Sequence, residues 1–200
     1  MRPLLNIITP VSRTENLQLI HNSIFFANYD YINEMLFDIE LYLIYDGIRI
    51  PDISFSFKRA MKVYGRCVES HQYGNAQRNL GLAKIDEGWI LFLDDDNIIH
   101  PDMLMTLNNE IKENPDKKCF LFTSVKRNGE VYCSLKDDFS NLVPGQIDVA
   151  QFVIHFSIIG DTKFILDKYD ADGYFIKEIY KKHPEAFKNT DGFVYYNYLR

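Results

Sequence analysis

Three consecutive aspartates, Asp94, Asp95 and Asp96, are the residues of this sequence best suited to chemistry. They follow directly on the apolar run Trp89–Leu93, which Gly88 precedes. A short apolar run with these flanks predicts a strand buried on both faces, as in a mostly parallel sheet. Open α/β sheets bind ligands at the carboxyl ends of their strands, so we expect the aspartates at a ligand site.

Three adjacent carboxylates repel one another, and a divalent cation with its preference for oxygen ligands would offset that repulsion. On an extended chain Asp94 and Asp96 point the same way and Asp95 points elsewhere. The alternative is a solvated turn in which the aspartates bind nearby backbone groups. The triplet by itself fits both interpretations, so the neighbouring segments must decide between them.

Size and charge restrict the class of protein. The chain has 200 residues, of which 46% are apolar and 25% charged, which predicts one domain with a substantial core. Its net charge of −6 argues against nucleic acid as a partner, because binding to phosphate backbones requires a basic face. One small anionic ligand held by a metal and a few local cations remains compatible with this charge.

The cysteines and the hydropathy pattern predict a soluble, cytoplasmic protein. Cys67, Cys119 and Cys133 are odd in number and lack CxxC spacing, so we expect reduced thiols and no zinc site. The first residues lack the pattern of a signal peptide. No run reaches the ~18 apolar residues of a transmembrane segment.

Strand–helix units precede the aspartates. The predicted elements are the strands Leu4–Thr9, Ile39–Tyr45 and Met61–Tyr64, a helix beginning at the capping box Ser12–Glu15, and a helix over Gly74–Lys84. Pro10 is expected to end the first strand, and Asp46 follows the second. Asp46 is therefore a second candidate for the carboxyl edge of the sheet, although Asp-Gly is also a common turn.

The second half of the chain predicts further helices and strands. They are a helix from His100-Pro101-Asp102 to Asn114, a strand at Cys119–Phe122 with a hairpin at Asn128-Gly129, a strand-like run Ile147–Phe156, a helix from Ala171 and a last strand in Phe193–Tyr198. Asp148, Gln151 and His155 interrupt the apolar run Ile147–Phe156 and need polar partners there.

In their order and spacing these segments resemble the GT-A glycosyltransferases, especially the small family-2-like members and the capsid-glycosylating domains of large algal viruses. The residues that carry the resemblance are Ile7-Ile8-Thr9-Pro10, Asp46, Asn75-Ala76-Gln77-Arg78-Asn79-Leu80-Gly81, Gly88–Asn97 and Pro101-Asp102-Met103-Leu104. The resemblance implies the α/β GT-A (nucleotide-diphospho-sugar transferase) fold. It implies a single domain over residues 1–200, with a mostly parallel central sheet flanked by helices. Residues 1–102 would form the nucleotide-sugar half, and residues 103–200 the acceptor half.

The same resemblance implies a UDP-sugar donor, Mn²⁺ or Mg²⁺, and roles for single residues. Thr9, Pro10 and Asp46 are expected to line the uridine pocket, and Asp94 is expected to meet the ribose. Asp96 is expected to bind the metal, and Asp95 to reach the donor sugar or Arg78. Arg78 and Asn79 are expected to bind the donor, and Arg13 to contact phosphate. His155 is a candidate second metal ligand, and its alternative is a hydrogen-bonded histidine inside the fold. Asp148 and Gln151 are candidates to contact acceptor or donor hydroxyls, and the alternative for each is a polar group that is satisfied inside the fold.

The implied reaction moves a hexose or deoxyhexose from UDP to a hydroxyl of a glycan or glycoprotein acceptor. The acceptor hydroxyl must lose a proton, and a carboxylate can take it as general base. Asp172 is our candidate, because it follows a loop and opens a predicted helix. An ordinary helix cap is the alternative for this residue.

Two other functions fit parts of the pattern. A non-catalytic nucleotide-sugar-binding module would keep the same fold and binding residues. A phosphatase of the haloacid-dehalogenase type would use the first aspartate of an Asp-x-Asp motif as nucleophile. That motif usually lies near the chain start with Thr or Val two places after its second aspartate, whereas here it lies mid-chain and Ile98 occupies that place.

Overall fold

A mixed sheet of eight strands organises the part of the chain that the structure describes. The computed structural model describes residues 1–30, 34–47, 72–133, 139 and 143–199, and the backbone of residues 61–67. The strands are β1 (Leu4–Val11), β2 (Asp38–Tyr45), β3 (Met61–Cys67), β4 (Trp89–Phe92), β5 (Cys119–Val125), β6 (Val131–Cys133), β7 (Phe152–His155) and β8 (Phe187–Tyr195). The helices are α1 (Leu17–Ala27), α2 (Asn75–Leu82), α3 (Met103–Glu113) and α4 (Ala171–Lys182).

Strand order confirms the predicted α/β class with a mostly parallel sheet. The order is β3-β2-β1-β4-β7-β5-β6, with β8 added to β5. The first four strands are mutually parallel, β7 runs antiparallel between β4 and β5, and β8 pairs with β5 in parallel. The carboxyl ends of β1, β2 and β4 therefore meet at one edge of the sheet.

Helices cover both faces of the sheet, and β4 lies between them. Its residue Leu91 packs with α1 and α3, whereas Ile90 and Phe92 pack with α4. All four residues of β4 are buried. This confirms that the apolar run before the aspartates is a strand buried on both faces, in the middle of the sheet.

Two predicted boundaries near the start of the chain are wrong. β1 continues through Pro10 to Val11. Proline has no N–H to donate, but β4 pairs with β1 only as far as Ile8, so the sheet needs no hydrogen bond from Pro10 to β4. The predicted capping box does not form, because the backbone N–H and the hydroxyl of Ser12 both donate to Asp95 instead. A 3₁₀ turn over Thr14–Asn16 precedes α1.

The second half also differs from the predicted elements. Asp148 caps a 3₁₀ turn, Val149–Gln151, so the strand that follows is restricted to β7. The predicted partner of the buried Gln151 is found in this capping box, where its Oε1 accepts a bond from the Asp148 N–H at 2.8 Å. The last strand, β8, begins at Phe187, six residues before the predicted start.

Cys119 and Cys133 are free thiols, and the side chain of Cys67 lies outside the described residues. In the described ranges we find no helix with the length and apolar character needed to cross a bilayer.

Candidate active site

A cavity of about 420 Å³ opens at the carboxyl ends of β1, β2 and β4. Its walls also include the start of α2, the loop before β7, the start of α4 and the segment after β8. The acidic and basic side chains that line it are Arg13, Asp46, Arg78, Asp94, Asp95, Asp96, Asp148, Asp170 and Asp172. Both predicted halves of the chain thus contribute to one site.

The three aspartates lie in a tight turn, because the Asn97 N–H donates to the Asp94 carbonyl at 3.0 Å. The extended geometry that would have pointed Asp94 and Asp96 the same way is therefore not present. Asp94 contacts α2, whereas Asp95 and Asp96 both contact Arg13.

Asp95 joins the exit of β4 to the exit of β1. Its Oδ2 accepts hydrogen bonds from Ser12 N at 2.5 Å, Ser12 Oγ at 2.8 Å and Arg13 N at 2.7 Å. The side chain of Asn16 donates to the Asp95 carbonyl at 2.8 Å. Because Asp95 is only 6% exposed, its carboxylate is largely committed to positioning this loop.

Arg78 holds Asp94 at the mouth of the cavity. This buried arginine of α2 forms an ion pair with Asp94 and also donates to the Tyr73 carbonyl at 2.9 Å and to Asn75 Oδ1 at 3.2 Å. The Asp94 side chain keeps 32% of its surface exposed. Asp94 can therefore meet a ligand while Arg78 fixes its orientation.

Arg13 bridges the other two aspartates. One of its guanidinium nitrogens lies 3.3 Å from Asp95 Oδ1 and 3.2 Å from Asp96 Oδ2. The Arg13 side chain is 39% exposed, whereas that of Asp96 is 4% exposed. Arg13 thus presents a cation to the cavity.

Asp148 and Asp172 are partly buried acids on the cavity wall. Burial, followed by the nearby charge of Asp94, raises the pKa of Asp148 to about 7. Burial raises the pKa of Asp172 to about 6, although the Gly173 N–H and Arg78 act in the opposite direction. A carboxylate with such a pKa is suited to exchange a proton near neutral pH.

Asp172 is not the helix cap. The N-cap residue of α4 is Asp170, and Asp172 lies inside the first turn, where its Oδ1 accepts a bond from Gly173 N at 2.8 Å. The capping alternative for Asp172 is therefore not what the structure shows.

The charge of the cavity suits a cation. Among the described residues, its lining holds seven aspartates against two arginines. In the described ranges no group of three or more His, Cys, Asp or Glu side chains is close enough to hold a metal by itself. Mg²⁺ commonly takes one or two carboxylates together with water and substrate phosphates, so Asp94 and Asp96 are the residues that would hold it here.

The structure places most of the predicted site residues on the cavity. Pro10, Arg13, Asp46, Arg78, Asp94, Asp95, Asp96 and Asp172 all line it. Thr9 does not, because its side chain is fully buried within β1. Asn79 is also off the cavity, since its amide both donates to and accepts from the Phe164 backbone at 2.8 and 2.9 Å.

Two predicted contacts are corrected. The partner of Arg78 is Asp94 and not Asp95. The carboxylate of Asp95 instead accepts hydrogen bonds from the loop after β1. His155 pairs with Trp89 at the opposite end of β4, on the order of 15 Å of strand from the aspartates, and cannot share a metal with Asp96. The His155 ring packs on Trp89 and forms a hydrogen bond with Ser157. These contacts match the alternative interpretation, a hydrogen-bonded histidine inside the fold.

Several lining residues were not predicted. Asn75 donates to the carbonyls of Ile165 and Lys168 and so ties α2 to the loop before α4. Two tyrosine pairs, Tyr73–Tyr169 and Tyr132–Tyr196, stand at the rim. Asp148 also lines the cavity, and the sequence had already made it a candidate contact to acceptor or donor hydroxyls, because an aspartate in an apolar run needs partners. The tyrosines gave no such signal, because aromatic residues occur throughout the chain.

The fold is similar to that of TarS from S. aureus. The crystal structure of TarS 1–349 with UDP matches with a TM-score of 0.67 and 14% identity, over 98% of this chain and 58% of that chain. The complex with UDP-GlcNAc matches with a TM-score of 0.65 and 13% identity, over 98% and 56%. This chain thus spans little more than half of TarS 1–349. No protein-family model and no curated protein matches the sequence.

Proposed function

We propose that this protein is a metal-dependent glycosyltransferase. In this proposal it moves a hexose or deoxyhexose from a UDP-sugar to a hydroxyl of a glycan or glycoprotein acceptor, with Mn²⁺ or Mg²⁺ as cofactor. The observation that carries the proposal is one cavity in which the Arg78–Asp94 pair shares the space with Asp148 and Asp172, two partly buried acids with raised pKa values. The fold shared with TarS, which was crystallised with UDP and UDP-GlcNAc, supports the nucleotide-sugar donor.

The donor is proposed to lie along the exits of β1, β2 and β4. Pro10 and Asp46 would contact the uridine, and Asp94, oriented by Arg78, would accept bonds from the ribose. Arg13 would contact the diphosphate, because its exposed guanidinium matches phosphate oxygens in charge and geometry. Asp95 would act indirectly, by fixing the loop that carries Arg13.

A cation is proposed at Asp96, with Asp94 close by. When bound, it would supply Lewis-acid stabilisation of the negative charge that develops on the departing diphosphate. The protein's own contribution is to keep these carboxylates in place through Arg13 and Arg78. The acidic lining of the cavity supports a cation, since UDP alone would meet repulsion there.

Asp172 is the proposed general base. It lies in the first turn of α4 on the cavity wall, and its raised pKa lets it take the proton of the acceptor hydroxyl as that oxygen attacks the anomeric carbon. The acceptor is then expected to approach over the walls formed by the second half of the chain.

One observation favours the non-catalytic binding module as a second candidate. Arg13 and Arg78 already offset part of the charge of the three aspartates without any metal.

The phosphatase is disfavoured, because Asp94, its required nucleophile, is held in an ion pair by Arg78. The role in algal-virus capsid glycosylation and the cytoplasmic location stay predictions from the sequence.

The test is release of UDP from a panel of UDP-sugars with and without Mn²⁺. Slow metal-dependent release is expected from the wild type and not from Asp96→Ala, while Asp116→Ala, which removes an exposed aspartate, should behave as the wild type. Metal-dependent UDP binding without turnover, even with acceptors, would establish the binding module. Hydrolysis of p-nitrophenyl phosphate at a comparable rate would establish the phosphatase.

A further inference from the structure

A second, shallower groove of about 360 Å³ adjoins the candidate active site. It is lined by Lys126, Arg127 and Asn128, from the turn between β5 and β6, and by Tyr196 and Asn197, which follow β8. Tyr196 and Asn197 also line the larger cavity. The two openings therefore share one wall.

That wall is rigidly connected to the rest of the site. Tyr196 stacks on Tyr132 with ring centres 3.7 Å apart and planes 4° from parallel. The Tyr196 N–H donates to the Val125 carbonyl at 2.9 Å, and the Leu199 N–H donates to the Asp96 carbonyl at 2.8 Å. The aromatic wall is thus held at a fixed distance from the turn that carries the aspartates.

The groove offers the groups that bind sugars. Its aromatic lining residue is Tyr196. The guanidinium carbon of Arg127 lies 5.3 Å from the centre of the ring of Tyr198, which is not itself part of the lining, and none of the described residues accepts a hydrogen bond from that guanidinium. Lys126, in contrast, is paired with Glu130 at 3.1 Å. Aromatic faces pack against the C–H groups of a pyranose ring, and a guanidinium provides five N–H donors for its oxygen atoms.

The size of the larger cavity indicates where the acceptor lies. At about 420 Å³ it is near the lower end of ligand sites, which span roughly 300–1,000 Å³. A nucleotide sugar would occupy most of this space. An acceptor longer than one sugar unit must therefore leave over the rim, and the shared wall at Tyr196 leads directly into the second groove.

We propose that the second groove is an acceptor subsite for the sugar unit next to the one that receives the transferred sugar, so that the acceptor is an oligosaccharide. The inference rests on the proposed function, because it requires transfer to take place in the adjoining cavity. Arg127 binds the remote unit and determines the preference for chain length.

The test is an array of defined glycans in which each series is present as mono-, di- and trisaccharide, probed with the protein in the presence of UDP. The wild type should bind di- and trisaccharides of at least one series more tightly than the monosaccharide. Arg127→Ala should weaken binding of those longer chains about tenfold or more and leave the monosaccharide and UDP unaffected. Arg2→Ala, which removes an exposed arginine at the opposite end of β1, should change none of these affinities.

Equal binding of mono- and trisaccharides, or trisaccharide binding that Arg127→Ala does not weaken, would overturn the subsite. Binding of UDP without any glycan would also overturn it while leaving the donor site intact. A protein that binds neither UDP nor any UDP-sugar would instead contradict the proposed function, so the two failures can be distinguished.

Discussion

At the scale of single residues, the three aspartates after β4 have different partners and therefore different roles. Asp94 is paired with Arg78 and partly exposed, Asp95 is committed to the backbone of the loop after β1, and Asp96 is buried beside Arg13. Their identity and their place at a strand exit were predictable, because both have a local signature. The different roles of the three aspartates were not predictable, because they depend on contacts between distant residues, such as Ser12 and Asp95, which are 83 residues apart in the chain.

Asp172→Asn is expected to lower turnover by about 10²–10⁴-fold with little effect on UDP binding, because the amide cannot take a proton. Since the pKa of Asp172 is raised to about 6, turnover of the wild type should rise with pH through about 6 and then level off. The measurement is a pH profile of kcat for both proteins.

The matched control for Asp172→Asn is Asp167→Asn, which changes an exposed aspartate of the preceding loop and should leave the profile unaltered. If Asp172→Asn kept both its turnover and the limb near pH 6, another group would be the base.

At the scale of elements, the buried strands and amphipathic helices were predictable because their patterns are local. The Trp89–Phe92 run is a buried strand as expected, and a helix, α1, follows the first strand as expected, with Leu17, Ile20 and Ile24 among its buried residues. What joins the elements was not predictable. Asn79 looked like a donor-site residue from its motif, yet it clamps the Phe164 backbone, and that contact depends on how the loop before α4 folds.

The start of α4 offers a test of such packing. A Cβ added at Gly173 would lie 2.5 Å from Pro144 Cα, so the helix or the loop before the 3₁₀ turn must move. Gly173→Ala is therefore expected to lower the free energy of unfolding by about 1–3 kcal/mol. Turnover should fall as well, because Asp172 is the preceding residue. Urea unfolding and kcat are the measurements.

Glu178→Ala, on the exposed face of the same helix, serves as the comparison for Gly173→Ala. It removes only the surface pair with Lys181 and should stay within about 0.5 kcal/mol of the wild type. If the two variants had equal free energies of unfolding, the helix and the Pro144 loop would be able to move apart without loss of stability, and the prediction would be wrong.

At the scale of the whole molecule, the fold class was predictable from the order of the segments, and the sheet confirms it. The acidic cavity was partly predictable, since the first-half aspartates were recognised, but Asp148 enters it only because β7 inserts antiparallel between β4 and β5. A strand inserted in this way carries no sequence signal of its own direction.

The partly buried acid Asp148 makes the stability of the whole fold depend on pH. The pKa of Asp148 is raised from an ordinary value of 3.8 to about 7. Its protonated form therefore stabilises the folded state fully below about pH 4, and this contribution is lost as the pH rises through about 7. Asp148→Asn stays neutral, so its Tm relative to wild type should increase from pH 5 to pH 8, by an amount equivalent to a few kcal/mol at most.

Thermal unfolding in EDTA without nucleotide measures this difference, and Asp116→Asn, on the exposed surface, is the control expected to show none. A Tm difference between Asp148→Asn and wild type that is constant across this range would mean that the carboxyl group titrates normally.

The bond between the Leu199 N–H and the Asp96 carbonyl has a practical consequence for work with this protein. A purification tag inserted directly after Leu199 would lie beside the turn that carries the aspartates, where it could obstruct the cavity or supply histidines that bind added metal. Met1 is exposed and precedes β1 at the far end of the sheet. Affinity handles and fluorophores belong at that terminus.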